Sequence, residues 1–131
     1  MIAQQLIKKY NLAADSYYTQ SAYLDTYPIK DEKFGEYIDF ACREEELKIK
    51  WASNIPTPWY GFNLGHPTPE IWFKVIDEFL VFVKDQYPDF EIYQIKLKMG
   101  GIRIYIGNVP ISISNEIHEL EAVLYDKFLI W

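Results

Sequence analysis

The segment FEIYQIKLKMGGIRIYIGN, residues 90–108, carries the clearest structural signal in the chain. Apolar and polar residues alternate on both sides of Gly100 and Gly101, and this pattern predicts two short strands joined by a tight turn. Since successive side chains of a strand point to opposite faces, the hairpin divides into two sets of residues. The apolar set is Ile95, Leu97, Ile102, Ile104 and Ile106. The polar set is Gln94, Lys96, Lys98, Arg103 and Tyr105.

The polar set of the hairpin has two interpretations. Lys96 and Lys98 point the same way, and Arg103 could donate two parallel hydrogen bonds to a phosphate or a carboxylate. An antiparallel sheet with one solvated face also carries lysine and arginine without any ligand. Spacing alone favours the solvated face, and an anion site is the alternative.

Two helices flank the hairpin in the predicted fold. A helix over about 69–86 is indicated by Thr68 as N-cap and Pro69 at the first helical position. Its apolar residues recur at helical spacing and form a wide face: Ile71, Trp72, Val75, Ile76, Phe79, Leu80 and Val83. A last helix over about 114–128 would turn Ile117, Leu120, Leu124 and Phe128 inward.

Weaker patterns outline the remaining elements. Apolar residues every four positions predict a helix over 2–12, and Asp31 could cap a second helix. The alternation in LKIKWA, residues 47–52, predicts a half-buried strand. Residues 53–69 are rich in proline and glycine and read as a loop, which could include a short extended piece at 59–64. The expected fold is a single α+β domain over 1–131, with a small antiparallel sheet packed against helices on one face.

Composition limits the classes of partner. The chain has 131 residues, a formal net charge of −6 and a pI near 4.9. General nucleic-acid binding requires a broad positive surface, so the acidic balance argues against it. The same balance would favour a partner with a basic surface, although it also simply keeps a domain in solution. The single cysteine, Cys42, allows no internal disulfide.

The sequence gives no sign of export or of membrane insertion. The N-terminal residues lack the long apolar run of a signal peptide. The most apolar segment, 71–83, contains Lys74, Asp77 and Glu78 and is too short and too charged to cross a bilayer. With one cysteine and no leader, a cytoplasmic location is expected.

Catalytic, cofactor and metal motifs are missing from the sequence. His66 and His118 lack the spacing of a metal pair, and His118 is expected on the exposed side of its helix. Cys42 lies in an apolar stretch and reads as a small buried residue. The carboxylates of Glu44, Glu45 and Glu46 would point in three directions on a helix, so they do not form a pair for acid–base catalysis. We therefore expect no enzyme activity, no cofactor and no metal.

The segment 61–105 resembles a group of small uncharacterised proteins of bacteria and phages. The shared hairpin pattern is Q-x-K-x-K-x-G-G-x-R-x-Y, which here is Gln94, Lys96, Lys98, Gly100, Gly101, Arg103 and Tyr105. Phe62, Gly65 and Trp72 match the preceding loop and helix more loosely. The resemblance covers about a third of the chain and implies a fold, but no activity. Met99 stands where an aromatic residue is usual, and the cysteine pair of the group has no counterpart here.

A non-enzymatic inhibitor is the functional class that the sequence favours, of the phage anti-defence or toxin-immunity type. It would mask a basic protein surface, because acidic and aromatic residues suit such a contact. The expected contact residues are Tyr17, Tyr18, Tyr23, Trp59, Glu44, Glu45 and Glu46. The apolar C-terminal residues could also support a homodimer. The alternative function is a small-anion or nucleotide-binding domain that uses Gln94, Lys96, Lys98, Arg103 and Tyr105.

Overall fold

The elements of the fold are defined by a computed structural model that describes residues 2–10, 12, 43–64, 70–98 and 101–124. Four helices and three strands lie within these residues, and the sheet packs against helices in an α+β fold, as expected. In chain order they are α1 (Ile2–Lys9), α2 (helical over 43–50), β1 (Gly61–Asn63), α3 (Glu70–Gln86), β2 (Glu91–Lys98), β3 (Gly101–Gly107) and α4 (Ile111–Val123).

The sheet has the strand order β1-β2-β3 and is mixed. The hairpin of β2 and β3 is antiparallel as predicted, with Ile95 opposite Ile104. The third strand differs from expectation, because β1 runs parallel to β2, with Gly61 opposite Gln94. Parallel neighbours require a crossover connection, and α3 supplies it between β1 and β2.

The core lies between the helices and the inner face of the sheet. The apolar face of α3 is buried as predicted, with Trp72, Phe79 and Leu80 at zero exposure. The inner face of the hairpin contributes Ile92, Ile95 and Ile102, which are equally buried. The apolar residues of α3 and of the hairpin belong to one continuous cluster, so the sheet has one covered face and one open face.

The strand predicted over 47–52 is wrong. Residues 43–50 are helical, and a 3₁₀ turn follows over Ala52–Asn54. Leu47 and Trp51 are both buried, whereas Ile49 between them is 71% exposed. Burial four residues apart is the helical period, and the apparent alternation came from an exposed isoleucine. Charge pairs also fit the helix, with Lys48 Nζ 3.5 Å from Glu44 Oε2.

Two helix boundaries differ from the predicted ones. Helix α1 ends at Lys9, short of residue 12. Helix α4 begins at Ile111, directly after Pro110, whose carbonyl accepts the Ile113 N–H at 3.0 Å. It ends at Val123, before residue 128, because Leu124 leaves helical geometry with φ −87° and ψ 64°.

The outer edge of β3 is covered in part by α4. The Ile102 N–H donates to the Leu124 carbonyl at 3.2 Å. The Ile104 N–H donates to Glu121 Oε2 at 2.8 Å. These bonds satisfy two edge amides that would otherwise be free to pair with another strand.

Several predicted features fall outside the described residues. They are the second helix near Asp31, the Thr68 cap and Pro69 start of α3, Gly100 of the predicted turn, and the apolar C-terminal residues after Leu124. Gly101, the other predicted turn residue, is instead the first residue of β3 and pairs with Lys98. Among the described helices, none combines the length and the apolar character that a bilayer crossing requires.

Candidate functional site

The open side of the sheet, here called the outer face, carries the polar set of the hairpin. The division of the hairpin into two faces is confirmed, because Ile95, Ile102 and Ile104 are buried while Tyr105 is 44% exposed. The apolar Leu97 and Ile106 are only partly buried and pack against the rim of the core. The outer face is therefore the place where the chain presents ordered polar groups on a rigid backbone.

Two cations stand directly opposite each other on the outer face. Lys96 and Arg103 are partners in the antiparallel register. Each turns toward a neutral group: Lys96 Nζ lies 5.9 Å from the centre of the Tyr105 ring, and Arg103 Nη1 donates to the Ile102 carbonyl at 2.9 Å. Within the described residues neither forms an ion pair with a carboxylate. Like charges directly opposite in a sheet are unfavourable, so the pair leaves an uncompensated positive potential.

A β-bulge brings an additional aromatic residue to this face. The register shifts between Ile92 and Gln94, which makes Tyr93 an extra residue in β2. The Tyr93 ring lies over Gly107, where a Cβ atom would overlap it. Its hydroxyl donates to Glu91 Oε1 at 3.0 Å. The hydrogen bond to the Glu91 carboxylate, helped by burial, raises the pKa of Tyr93. The same bond fixes the position of the phenol on this face.

Parallel pairing of β1 with β2 adds two aromatic residues from the preceding loop. Gly61 is opposite Gln94, so the residues that precede them, Tyr60 and Tyr93, lie side by side. Their ring centres are 5.4 Å apart with a tilt of 55°. Trp59 precedes them and is 89% exposed. The outer face thus joins the loop aromatics to the polar set of the hairpin.

One shallow depression lies on the outer face, and a second lies beside it at the β3 edge of the sheet. The aromatic depression, of about 340 Å³, is lined by Trp59, Tyr60, Tyr93, Gln94, Lys96 and Tyr105. The edge depression, of about 450 Å³, lies between β3 and α4 and is lined by Tyr93, Arg103, Ile104, Tyr105, Ile106, Ser114, Ile117, His118 and Glu121. Tyr93 and Tyr105 line both, so the two depressions adjoin across the hairpin. Lys98 is exposed near the end of β2 and lines neither.

The acidic contact residues expected from the sequence are only partly available. Glu44 Oε1 accepts the Leu64 N–H at 2.6 Å, and the Glu44 side chain is only 18% exposed. Glu45 and Glu46 are exposed, and Glu46 Oε1 lies 3.3 Å from Arg43 Nη1. Glu44 therefore joins α2 to the end of β1, while its two neighbours remain accessible. Tyr17, Tyr18 and Tyr23 lie outside the described residues.

Of the groups considered for metal binding and catalysis, His118 and the glutamates of α2 lie in the part of the chain that the structure describes. There, no three histidine, cysteine, aspartate or glutamate side chains are grouped so as to hold a metal ion. His118 is exposed on α4, as predicted, and lines the edge depression. His66 and Cys42 are outside the described residues.

The sequence predicted the polar set of the hairpin, but it did not predict that three aromatic residues would lie beside that set. Trp59 was expected as a contact residue, but not beside the hairpin, and Tyr60 and Tyr93 were not expected there at all. One local signal was present: Ile92 and Ile95 are both apolar and three apart, which breaks strict alternation and indicates a bulge at Tyr93. The position of the loop depends on pairing between distant segments and has no local signal.

Comparisons of this chain with protein-family models, with curated proteins and with solved structures gave no match.

Proposed function

We propose that the protein binds, without catalysis, a ligand that carries both a planar ring and an anionic group, such as a nucleotide. The binding surface is the outer face of the sheet. This is the alternative function that the hairpin sequence suggested, extended by Trp59, Tyr60 and Tyr93.

One observation carries the proposal: the cross-strand pair of Lys96 and Arg103. A like-charged pair costs folding free energy, and an anion bound by either cation would reduce that cost. Lys96 is open to a ligand in the aromatic depression and Arg103 to one in the edge depression. Arginine and lysine are the usual donors to phosphate, with arginine able to give two parallel bonds. The absence of an acidic partner among the described residues leaves both cations available.

The aromatic residues supply the second half of the recognition. Tyr60, Tyr93 and Tyr105 surround Lys96 and Gln94 in one depression. A flat ring gains contact with an aromatic side chain, and Gln94 can donate to and accept from the edge of a base. Tyr93, Gln94, Lys96 and Tyr105 stand on paired strands, so little backbone conformational entropy would be lost there on binding.

A thermal-shift panel of nucleoside mono-, di- and triphosphates tests this function. A ligand at about one hundred times its Kd stabilises the folded state by about 2.7 kcal/mol, which raises Tm by several degrees. We expect at least one nucleotide to do so with the wild type, and the shift to shrink in Arg103→Ala and Lys96→Ala. A panel in which no member stabilises the wild-type protein would contradict the proposal.

A second candidate function is the masking of a basic protein, which the sequence favoured. Trp59 supports it, because an indole that is 89% exposed is available as an anchor of a protein interface. Glu45 and Glu46 would supply charge complementarity on α2. The two candidates differ in their charged residues and share only Trp59.

Charge reversal separates the two candidates. We expect Glu45→Lys combined with Glu46→Lys to slow association with a basic partner, and the wild-type rate to fall with added salt. Trp59→Ala should speed dissociation, while Ile111→Ala, at another exposed apolar residue, should not. Surface plasmon resonance with a captured partner measures both rates. Equal rates for all variants would exclude this second function.

A further inference from the structure

We propose that the natural ligand of the outer face is a short single-stranded nucleic acid that crosses the sheet from the Trp59 loop to α4. This inference rests on the proposed function, since it specifies which molecule carries the ring and the anionic group. It extends the site from one depression to two and makes the ligand a chain of nucleotides.

The two depressions are continuous with each other, which favours a ligand longer than one nucleotide. Tyr93 and Tyr105 line both the aromatic depression and the edge depression. Together the depressions extend from Trp59 across β2 and β3 to His118. A mononucleotide would fill one of them, whereas a chain of a few nucleotides would occupy both.

The placement of the rings is the second argument. Tyr60 directly precedes β1, Tyr93 lies on β2 and Tyr105 lies on β3. Each of the three strands therefore has one aromatic ring on it or just before it. The Tyr60 and Tyr93 ring centres are 5.4 Å apart, and Tyr93 and Tyr105 line the same depressions, so the three rings lie close together across the sheet. Exposed aromatic side chains on a sheet are a general means of stacking successive bases of a single strand.

The charges agree with a phosphodiester chain of limited length. Lys96 lines the aromatic depression and Arg103 lines the edge depression, so each can contact a phosphate of a strand that crosses the sheet. The nearby carboxylates are engaged by the protein itself, since Glu91 accepts from Tyr93 and Glu121 accepts the Ile104 N–H.

A single strand fits the outer face better than a duplex. The net charge of −6 argues against a broad positive surface, so nucleic-acid binding at this site has to rely on base stacking together with a few local cations. In a duplex the bases are stacked on each other and cannot lie on tyrosine rings. In a single strand they are free to do so.

Fluorescence anisotropy with labelled octamers tests the inference on the full-length protein. The probes are octauridylate and octathymidylate, with uridine monophosphate and an eight-base-pair duplex as competitors. We expect an octamer to bind at least about tenfold more tightly than the mononucleotide, because several bases and phosphates are engaged at once. Two phosphate contacts, at Lys96 and Arg103, predict that log Kd rises with log salt with a slope of about 1.4. A preference between the two octamers would show whether the ligand is RNA or DNA.

Matched variants assign the binding to the outer face. Tyr105→Ala should weaken octamer binding roughly 5- to 100-fold through the loss of one stack, and Ile111→Ala should leave it unchanged. Both residues are exposed, at 44% and 80%, so neither change removes a core contact. Lys96→Gln should lower the salt slope by about 0.7, and Lys74→Gln, on the solvent side of α3, should not.

The outcomes separate the inference from the function on which it rests. If the mononucleotide binds and the octamer binds no more tightly, the nucleic-acid inference fails and nucleotide binding stands. If neither the octamers nor any nucleotide of the thermal-shift panel binds, both fail, and the protein-masking function becomes the remaining candidate. Octamer binding that Tyr105→Ala leaves unchanged, or a duplex that competes as well as the single strand, would also overturn the inference.

Discussion

Gly107 shows how a single missing side chain shapes the outer face. The Tyr93 ring occupies the space that a Cβ atom at Gly107 would need. This contact positions Tyr93 beside Tyr60 and lets its hydroxyl reach Glu91. The glycine is therefore required by the close approach of a neighbouring ring.

We expect Gly107→Ala to displace the Tyr93 ring and to weaken ligand binding. Overpacking of this kind costs typically about 1–3 kcal/mol of unfolding free energy. Chemical denaturation measures that cost, and the nucleotide titration measures the effect on binding. The combination of Gly107→Ala with Tyr93→Leu is the control, because the shorter side chain removes the overlap. If the losses of unfolding free energy from the two substitutions simply add in the combined variant, Gly107 is not required by the Tyr93 ring.

Lys96 provides a second test at the level of one residue, made in the absence of ligand. Glutamate and glutamine at position 96 both lose the contact with the Tyr105 ring, so they differ mainly in charge. Because Arg103 lies directly opposite, Lys96→Glu should be more stable than Lys96→Gln by roughly 0.2–1 kcal/mol. Urea denaturation of the two variants gives the difference. A glutamate variant that is the less stable of the two would mean that Arg103 is already neutralised.

The helices are joined to each other by buried polar contacts as well as by the core. Glu116 on α4 is only 5% exposed and accepts the Ala3 N–H at 2.7 Å. The first amides of a helix have no partner within the helix, so Glu116 caps α1 from another element. This contact is specific to the tertiary fold, and no local N-cap pattern indicates it.

Removal of this cap should loosen α1. Glu116→Ala leaves a buried amide without an acceptor, and we expect a loss of about 1–3 kcal/mol of unfolding free energy. Glu116→Gln keeps an oxygen acceptor and should lose less. The exposed bond from Gln4 Nε2 to Glu119 Oε2, at 2.7 Å, offers the comparison, since Glu119→Ala should cost little. Hydrogen exchange in α1 would report the change, and unaltered protection in Glu116→Ala would refute the capping role.

The elements differ in how far local sequence could predict them. Helix α3 and the hairpin were predicted because each has a repeated pattern over many residues, bounded by proline or glycine. Helix α2 was not, because three apolar residues at alternate positions fit a strand as well as a helix. Burial of Leu47 and Trp51 against distant residues decides between them. The direction of β1 likewise depends on a crossover through α3, which no local pattern encodes.

At the scale of the whole molecule, a three-residue ionic contact ties α1 to α3. Lys9 Nζ lies 2.6 Å from Glu78 Oε1, and the Tyr10 hydroxyl donates a short hydrogen bond to Glu78 Oε2. Burial opposes ionisation of Glu78, but the bonds from Lys9 and Tyr10 outweigh it and lower its pKa. Burial and the bond to Glu78 raise the pKa of Tyr10, and the bond to Glu78 raises that of Lys9.

These shifts predict a pH window for stability. The pKa of Glu78 is lower in the folded state than in the unfolded state. Its contribution to the free energy of unfolding is therefore present above the unfolded-state pKa and is lost as pH falls through the folded-state pKa. Since the pKa values of Tyr10 and Lys9 are raised, their contributions are lost as pH rises through their folded values, above about 10. Glu78→Gln should therefore flatten the acid side of a plot of Tm against pH. If Tm falls with decreasing pH as steeply in Glu78→Gln as in the wild type, other carboxylates cause the loss of stability at low pH.

Sequence could predict half of the candidate site. Alternation along the hairpin placed Gln94, Lys96, Arg103 and Tyr105 on one face, because strand geometry is local. It could not place Tyr60 beside Tyr93, because that neighbour relation arises from parallel pairing of β1 with β2. It also could not show that Lys96 and Arg103 face each other, since a turn of different length would shift the register.

Calorimetric titration of one nucleotide tests the central claim most directly. The ligand is the nucleotide that gives the largest thermal shift, and the proteins are the wild type, Lys96→Gln and Lys74→Gln. Loss of a charge-assisted bond to phosphate should weaken binding about ten- to a hundredfold in Lys96→Gln. Lys74→Gln, which changes the net charge equally but lies on α3, should match the wild type. Equal affinities in all three proteins, or no binding to the wild type, would contradict an anion site on the outer face.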